Sequence, residues 1–522
     1  MHVPLTPLRC LYRAVDLFGK KIGVVSGERR FTYAEFGERA ERLAHGLRAA
    51  GVAAGDRVAF LSFNSNELLE GYYGPPLIGA IAMPLNVRLT AAELTGILNH
   101  AEPRVLVYDA DFLPVVSQLR AACPAIQTWI EVGPGYEELL TRGRIERPDI
   151  FSIDETSICE LFYTSGSTGT PKGVMLSHRT LYLHALSVAC MFNYDDNAVQ
   201  LATIPLFHAN GWGRPQSATM LGYRQVMVRR FEPSHVLKLI AQERATGMEL
   251  VPTMANALLN CPEMATADVS SMREINMGGA ASSPELIARL EKAFRCRVQA
   301  GYGLTETSPV ATTAKTKSTV QYKDEQDRLN RLSSTGWPMP GCEIRVVDLH
   351  GNDVPRDGES FGEIWIRGDL VMDGYYKEPQ ASAAALENGW LHTGDVAVWD
   401  AEGYVNIVDR KKDIIISGGE NISSIEVERA IFSHPAVLEC AVVASPDAQW
   451  GEVPAAFVVL KPRHTLNQEE LCEYLRGRIA KFKMPRYFQF ADQPLPKTGT
   501  GKILKRELRE AFWQGKERRV QG

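Results

Sequence analysis

The run Tyr163-Thr164-Ser165-Gly166-Ser167-Thr168-Gly169-Thr170-Pro171-Lys172-Gly173 sets three glycines, five serine or threonine hydroxyls and one lysine within eleven residues. Glycine accepts positive φ and lets backbone N–H groups approach a phosphate, the hydroxyls add donors, and the lysine brings a mobile positive charge. This is the chemistry of a phosphate cradle. It is not the Walker arrangement, in which a Gly-Lys pair at fixed spacing opens a helix. Here Pro171 precedes the lysine and Gly173 follows it. The flanking runs Leu161-Phe162-Tyr163 and Val174-Met175-Leu176 read as strands, so the loop is expected to join two strands. The competing reading is a hairpin turn of ordinary Ser/Thr/Gly composition.

Four further stretches bear chemistry. In Gly301-Tyr302-Gly303-Leu304-Thr305-Glu306 an aromatic can stack on a base and a hydroxyl can bond a phosphate oxygen. Its carboxylate is the hard oxygen ligand that magnesium takes when it also holds substrate phosphates. Met277-Gly278-Gly279-Ala280-Ala281 offers small residues against which a flat ring can lie, although any tight strand end could use them. Pro205-Leu206-Phe207-His208-Ala209-Asn210-Gly211-Trp212 gathers a histidine, an amide and a large aromatic. Pro496-Lys497-Thr498-Gly499-Thr500-Gly501-Lys502 ends in a lysine carried by two glycines. A basic tail for nucleic acid is the rival for this last segment, but Glu507, Glu510 and Glu517 interleave with Lys505, Arg506 and Arg509 as on a solvated helix face.

These segments need a scaffold. Thr32 and Glu35 have capping-box spacing, and Phe36, Ala40, Leu43 and Leu47 recur at helical intervals until Gly51. Strands are expected at Val58–Leu61, Ala80–Pro84 and Arg104–Tyr108, with helices near Glu67–Tyr73 and Ala91–His100. Alternation of this kind indicates a parallel sheet covered on both faces. The polar stretch from Thr312 to Ser334 reads as a surface excursion or as the site of a short charged helix. Beyond the charge run Asp409-Arg410-Lys411-Lys412-Asp413, a helix near Ser424–Phe432, strands at Glu439–Ala444 and Ala455–Leu460 and a helix at Gln468–Ala480 form a compact α+β module.

The chain has 522 residues, too many for one core. Its net charge of −5 argues against an electrostatic nucleic-acid binder. Nine cysteines without a C-x-x-C pair suggest reduced thiols and no structural zinc. With no signal peptide, no membrane-spanning run and no peroxisomal tripeptide at the end, a cytoplasmic protein is expected.

Taken together and in this order, the loop, the Tyr-Gly-x-Thr-Glu stretch and the terminal Gly-Lys pair resemble the adenylate-forming superfamily, which comprises acyl-CoA synthetases, peptide-synthetase adenylation domains and luciferases. The resemblance covers nearly the whole chain and is nearest to the fatty-acyl and related acid:CoA ligases. It implies an α/β fold with a large N-terminal domain, residues 1–409, of parallel-sheet subdomains plus a β-rich one, and a small mobile α+β domain, residues 410–522. It implies ATP, Mg2+ and CoA. Thr164 to Gly169 and Lys172 would hold phosphates, Glu306 with Thr164 the metal, and Gly279, Ala280 and Ala281 the adenine. Asp395 and Arg410 would reach the ribose. His208, Asn210, Gly211 and Trp212 would border the acyl group, with Trp212 either a tunnel gate or an ordinary core aromatic. Lys412 falls at the hinge, Gly418 and Gly419 line the pantetheine path, and Lys502 is the adenylation lysine. The implied reaction activates a carboxylic acid, a medium- or long-chain fatty acid or a related one, and passes the acyl group to CoA. Rivals are an acyl-AMP ligase loading a carrier protein, an aryl-acid:CoA ligase, a luciferase-type oxygenase and, from another class, a nucleotide-binding regulatory NTPase. A homodimer is compatible with this reading. Arg214 departs from an aliphatic tunnel: it points outward, pairs with an acid or recognises a second polar group.

Overall fold

The computed structural model describes residues 3–164, 171–192, 194–348, 350–418, 420–497 and 503–513. By contacts the chain divides into two compact units. One comprises Met1–Ile344, Ile366–His392 and Glu402–Val405, and the other Arg345–Trp365, Thr393–Ala401 and Asn406–Gly522.

Eight strands and one helix of the first unit carry the candidate site: β1 (Ile158–Thr164), β2 (Lys172–Ser177), β3 (Val199–Ala202), α1 (Arg214–Leu221), β4 (Arg224–Met227), β5 (Gly247–Leu250), β6 (Glu274–Met277), β7 (Arg297–Gly303) and β8 (Gly374–Tyr375). A seven-stranded sheet runs β8, β2, β1, Ile81–Pro84, Arg57–Leu61, Val105–Tyr108, Thr128–Glu131. Its strands are parallel from β1 to Thr128–Glu131, while β2 and β8 are antiparallel additions at one edge. A nine-stranded sheet holds β7, β6, β5, β3, β4 and Ile22–Ser26 side by side and parallel, closed at both edges by antiparallel strands.

Parallel strands covered on both faces must be apolar along their length. Arg57–Leu61 and Val105–Tyr108 accordingly contribute Ala59, Leu61, Leu106 and Tyr108 to one buried cluster, with Leu94, Leu98, Val116 and Leu119 from the covering helices. In the larger sheet Leu201, Val226, Met248, Leu250, Ile275 and Val298 pack against Ile240, Leu258, Ile287 and Leu290.

The alternation read from the sequence is present. Thr32 and Glu35 form the capping box of the helix Tyr33–Ala49, and the helices Asn66–Gly71 and Ala91–Ala101 and the strands around them fall where the pattern put them. Within 312–334 a charged helix does form at Glu325–Ser333, capped by Asp324 and anchored by buried Leu329 and Leu332.

In the second unit the strands Val437–Asp447 and Gly451–Leu460 make a long antiparallel hairpin, extended by Tyr487–Ala491 and covered by the helix Ser424–Phe432. The helix expected over Gln468–Ala480 stops at Leu475. Arg476 is extended and Gly477 takes φ +77°, which only glycine adopts freely, so the apolar spacing that reaches Ile479 does not continue the helix.

Inside the first unit, Glu70 is fully buried and gathers Arg39 Nε at 2.6 Å, Asn66 Nδ2 at 2.8 Å and the Tyr136 hydroxyl at 2.7 Å. Glu70→Ala leaves Arg39 its bonds to Glu137 at 2.8 and 2.9 Å but takes the acceptor from the buried Asn66 amide and Tyr136 hydroxyl, and a buried donor left unpaired costs about 1–3 kcal/mol. A lower urea midpoint by that amount, with the slope unchanged, is the expected outcome; a midpoint within error of the parent would show the cluster to be inert.

Candidate active site

β1 and β2 form an antiparallel hairpin with Thr164 opposite Lys172 and Tyr163 opposite Gly173. The loop therefore joins two strands, as its flanks implied. Ser165, Gly166, Ser167, Thr168, Gly169 and Thr170 lie outside the described residues, and so do Gly419 and Lys502.

β8 lies along β2, pairing Gly374 with Met175 and Tyr375 with Val174. That register carries Tyr375 to the base of the loop. The Lys172 Nζ stands 4.8 Å from the Tyr375 ring centroid, and the Tyr375 hydroxyl donates to Glu306 Oε1 at 2.9 Å. The Met372 N–H also donates to the Glu306 carbonyl at 2.9 Å. Burial, reinforced by the Glu306 charge, pushes the Tyr375 phenol upward, so it stays a donor. A lysine, an aromatic ring and a carboxylate thus stand in sequence beside the loop. Nothing in the sequence marked Tyr375, which follows Asp373-Gly374 in a strand only two residues long.

Gly301, Tyr302 and Gly303 end β7, and Thr305 and Glu306 begin the short turn Thr305–Thr307. The glycines have a packing reason of their own. A Cβ on Gly301 would meet the Thr312 carbonyl at 2.9 Å, and one on Gly303 would meet the Pro309 carbonyl at 1.7 Å. Gly279 has φ +73° and, with Ala280 and Ala281, lies exposed at the end of β6.

The His208 segment holds the least usual backbone. Ala209, Asn210, Gly211, Trp212 and Gly213 all have positive φ, between 41° and 73°. Left-handed backbone costs roughly 1–2 kcal/mol for each residue with a Cβ, so the surroundings must enforce it. They do so at three points. A Cβ on Gly213 would lie 2.2 Å from the buried His184 ring, the Trp212 ring reaches within 2.8 Å of where a Gly278 Cβ would stand, and Asn210 is tied from two sides. Its Oδ1 accepts from the Gly213 N–H at 2.6 Å and its Nδ2 donates to Glu160 at 3.3 Å. The same carboxyl accepts from Gln216 Nε2 at 2.8 Å.

Glu160 sits fully buried in β1, four residues before Thr164. Burial pushes its carboxyl up to about 8, against the lowering effect of the two amide donors. His184 is pushed down to about 3 by burial and by the nearby Arg214 charge, so its ring is neutral and accepts from the Val310 N–H. Neither residue was marked by the sequence, where each is a single polar residue within an apolar run. Arg214 was marked. It is buried, pairs with Glu249 through Nε at 2.5 Å and lies over the Phe192 ring at 4.2 Å, so of the readings open for it the outward one is excluded.

The arrangement therefore brings Thr164, Lys172 and Glu306 together through Tyr375, Trp212 to Gly278 and Gly279, and Asn210 to β1. His208 itself is exposed, at the start of the left-handed run.

The family described as AMP-binding enzyme matches residues 11–376, and the AMP-binding enzyme C-terminal domain matches residues 426–502. The chain belongs to the adenylate-forming, AMP-binding enzymes. Relatives in this family include a long-chain-fatty-acid–CoA ligase of Thermus thermophilus, 42% identical with 96% of this chain and 94% of that protein covered. A feruloyl-CoA synthase of Amycolatopsis is 39% identical, with 93% and 95% covered. Among solved structures, the anthranilate CoA ligase AuaEII in complex with anthranoyl-AMP superimposes with a TM-score of 0.88 at 26% identity, over 98% of both chains. The fatty acyl CoA synthetase of Mycobacterium tuberculosis gives 0.77 at 31%, over 98% and 99%. The protein is an AMP-forming acid:CoA ligase using ATP, CoA and a carboxylic acid.

Among the described residues no cluster of three His, Cys, Asp or Glu side chains could hold a metal by itself. Magnesium does not need one, since it takes one or two carboxylates and completes its shell with phosphates and water. Glu306 fits that requirement. No described helix is long and apolar enough to cross a membrane.

In the second unit, Arg410 Nε and Asp395 Oδ1 are 2.6 Å apart on adjacent strands, Val405–Arg410 and Leu391–Trp399. Gly418, at φ +60°, packs under Trp450, whose ring a Cβ would meet at 2.6 Å. Lys412 lies two residues beyond Arg410, its carbonyl accepting from Arg509 at 2.8 Å.

Glu160 has a measurable consequence. With a folded pKa near 8 and an unfolded one of about 4.3, the native state keeps a proton that the unfolded chain has released. Its contribution to stability is therefore present below about pH 4.5 and is lost as pH rises to about 8. Glu160→Gln removes this term. Between pH 5 and pH 8 the stability of the variant should fall less than that of the parent, by on the order of a few kcal/mol. Urea unfolding at the two pH values checks it, and parallel profiles would place the ionisation elsewhere.

Proposed function

We propose that both half-reactions of this acid:CoA ligase run through the residues named above, with residues 1–409 holding ATP and acid and residues 410–522 turning about Lys412 between steps. The observation that carries the reading is the Lys172–Tyr375–Glu306 sequence at the base of the loop. It gathers one cation and one carboxylate about a single tyrosine next to Lys172, where β2 begins, as a nucleotide with its metal requires.

In the first half-reaction a carboxylate oxygen attacks the α-phosphorus of ATP, the bond to the bridging oxygen breaks, and pyrophosphate leaves. The acid is ionised at neutral pH, so no general base is needed. The protein must align two anions that repel each other and stabilise charge on the phosphoryl oxygens. Thr164, Ser165, Gly166, Ser167, Thr168, Gly169 and Lys172 cradle the phosphates, with Thr305 from the facing turn. Tyr302, Gly279, Ala280 and Ala281 border the adenine, and Asp395 with Arg410 reaches the ribose. Mg2+, held by Glu306 with Thr164, would neutralise phosphate charge. Lys502 bridges the nucleophile and the α-phosphate.

In the second half-reaction the CoA sulfur attacks the acyl carbon, the carbon–oxygen bond breaks, and AMP leaves with that oxygen. Gly418 and Gly419 line the path of the pantetheine arm. His208, Asn210, Gly211 and Trp212 border the acyl group, which is that of a medium- or long-chain fatty acid or a related acid. The relatives are named for aliphatic and for aryl acids alike. The reaction is placed in the cytoplasm.

Because Lys502 and Gly419 belong to one turning domain, the half-reactions should separate by mutation. Lys502→Ala should slow acyl-AMP formation by about a hundred- to a thousandfold yet convert synthetic acyl-AMP to thioester at close to the parent rate. Gly419→Leu should do the reverse. Paired single-turnover assays read this directly, and equal loss of both halves in both variants would contradict a turning domain.

A further inference from the structure

Behind the left-handed run lies a small cavity lined by Gln200, Ile204, Leu206, Gly211, Arg214 and Gln225, among others. Its wall comes from β3, β4 and the first turn of α1. Two of these contributors, Gly211 and Arg214, flank Trp212 in sequence, so the cavity adjoins the segment assigned to the acyl group.

The wall is polar where an aliphatic chain would want hydrocarbon. Arg214, Gln225 and Gln200 are only 6%, 3% and 2% exposed. Arg214 Nη1, Gln225 Nε2 and Gln200 Oε1 nevertheless meet no hydrogen-bond partner among the described residues. An unpaired polar atom is costly in a buried place, and three on residues lining one cavity ask for an explanation. Arg214 Nε pairs with Glu249, and Gln200 Nε2 donates to the same carboxylate at 2.5 Å. The guanidinium plane is fixed between that pair and the rings of Phe192 and Tyr194, at 4.2 and 5.2 Å. The Tyr223 hydroxyl also bonds this guanidinium, so the group is held in place beside the cavity.

Charge narrows the class of ligand. Arg214 is already balanced by Glu249, and the charge of Glu274 also reaches it. A second carboxylate on the substrate would add another anion to this balance. A neutral oxygen adds none, and a hydroxyl would both accept from Arg214 or Gln225 and donate to Gln200 Oε1.

Resting on the reading that the acyl group lies beside His208 to Trp212, we propose that this cavity selects acids whose acyl chain carries a neutral oxygen, a hydroxyl or a carbonyl, received by Arg214, Gln225 and Gln200. The plain aliphatic acid of the same length leaves these atoms unpaired and is the poorer substrate.

The test compares kcat/KM for CoA-dependent AMP release across acids matched in carbon number: the plain acid, its hydroxy and keto derivatives at successive carbons, and the dicarboxylic acid. At one position the hydroxy or keto acid should exceed the plain acid by about a hundredfold or more, because sites built around hydrogen bonds reject analogues that lack them. Gln225→Leu should reduce that ratio at least tenfold and leave the ATP KM unchanged. The double variant Arg214→Leu/Glu249→Leu, which removes both charges together and so strands neither, should shift preference toward the plain acid. Equal rates for plain and oxygenated acids at every position, or the dicarboxylic acid as best substrate, would overturn the proposal. Trp212→Ala separates the two levels of the argument. If it alters the acid profile and Gln225→Leu does not, the polar pocket is wrong and the acyl placement stands. If neither alters it, the placement fails and the pocket with it.

Discussion

Glu160, a buried carboxyl with no cation beside it among the described residues, ties β1 to the left-handed run and to α1. It sits on β1, whose end opens the phosphate loop, and its amide donors Asn210 and Gln216 lie in and just after the left-handed run. Amide donors are a weak substitute for water or an opposite charge, which is why burial dominates and the proton is retained. What this linkage supplies is position. The loop proposed to receive ATP and the segment proposed to receive the acid must keep one spacing if a carboxylate is to meet the α-phosphorus, and a buried hydrogen-bonded link from β1 to that segment would fix it without reaching the substrates.

Around that link the site is built by close approach. Gly301 and Gly303 let the antiparallel strand that follows lie directly on β7, Gly213 admits the His184 ring, and Gly278 admits Trp212. Each of these glycines is fixed by its neighbours before any ligand is considered. At Gly301 and Gly303, residues proposed to border the nucleotide are thus also ones the packing requires, and a side chain at either would disturb both. The left-handed run shows the cost side: three residues with a Cβ in unfavourable backbone are held by Asn210, which tolerates that conformation, and by the packing of its neighbours.

The sequence was most legible where composition and spacing are local. The loop between two strands, the capping box at Thr32 and the alternation behind the parallel sheet all depend on residues close in the chain. Tyr375 was invisible because its role comes from a two-residue strand laid on β2. Glu160 and Glu249 were invisible because a single acid in an apolar strand carries no periodic signal, and only the fold supplies Asn210, Gln216 and Arg214 as partners. Arg214 could be singled out as an oddity, but its outcome depended on a residue in another strand. Apolar spacing carries the expected helix from Gln468 past its true end, which Arg476 and Gly477 set through backbone conformation. The boundary at Asp409 to Lys412 was read from a charge run, whereas the contacts also group Arg345–Trp365 and Thr393–Ala401 with the segment from Asn406.

All of this serves one chemical event, the attack of a carboxylate oxygen on the α-phosphorus. Its most direct test is isotopic. With a substrate acid labelled with 18O in both carboxyl oxygens, turnover with ATP and CoA in unlabelled water should deliver one 18O to AMP for each thioester formed, leaving one in the acyl-CoA and none in pyrophosphate. Label in pyrophosphate, or AMP free of 18O, would show that the acid attacks elsewhere or that water does, and would contradict the adenylate on which the account rests.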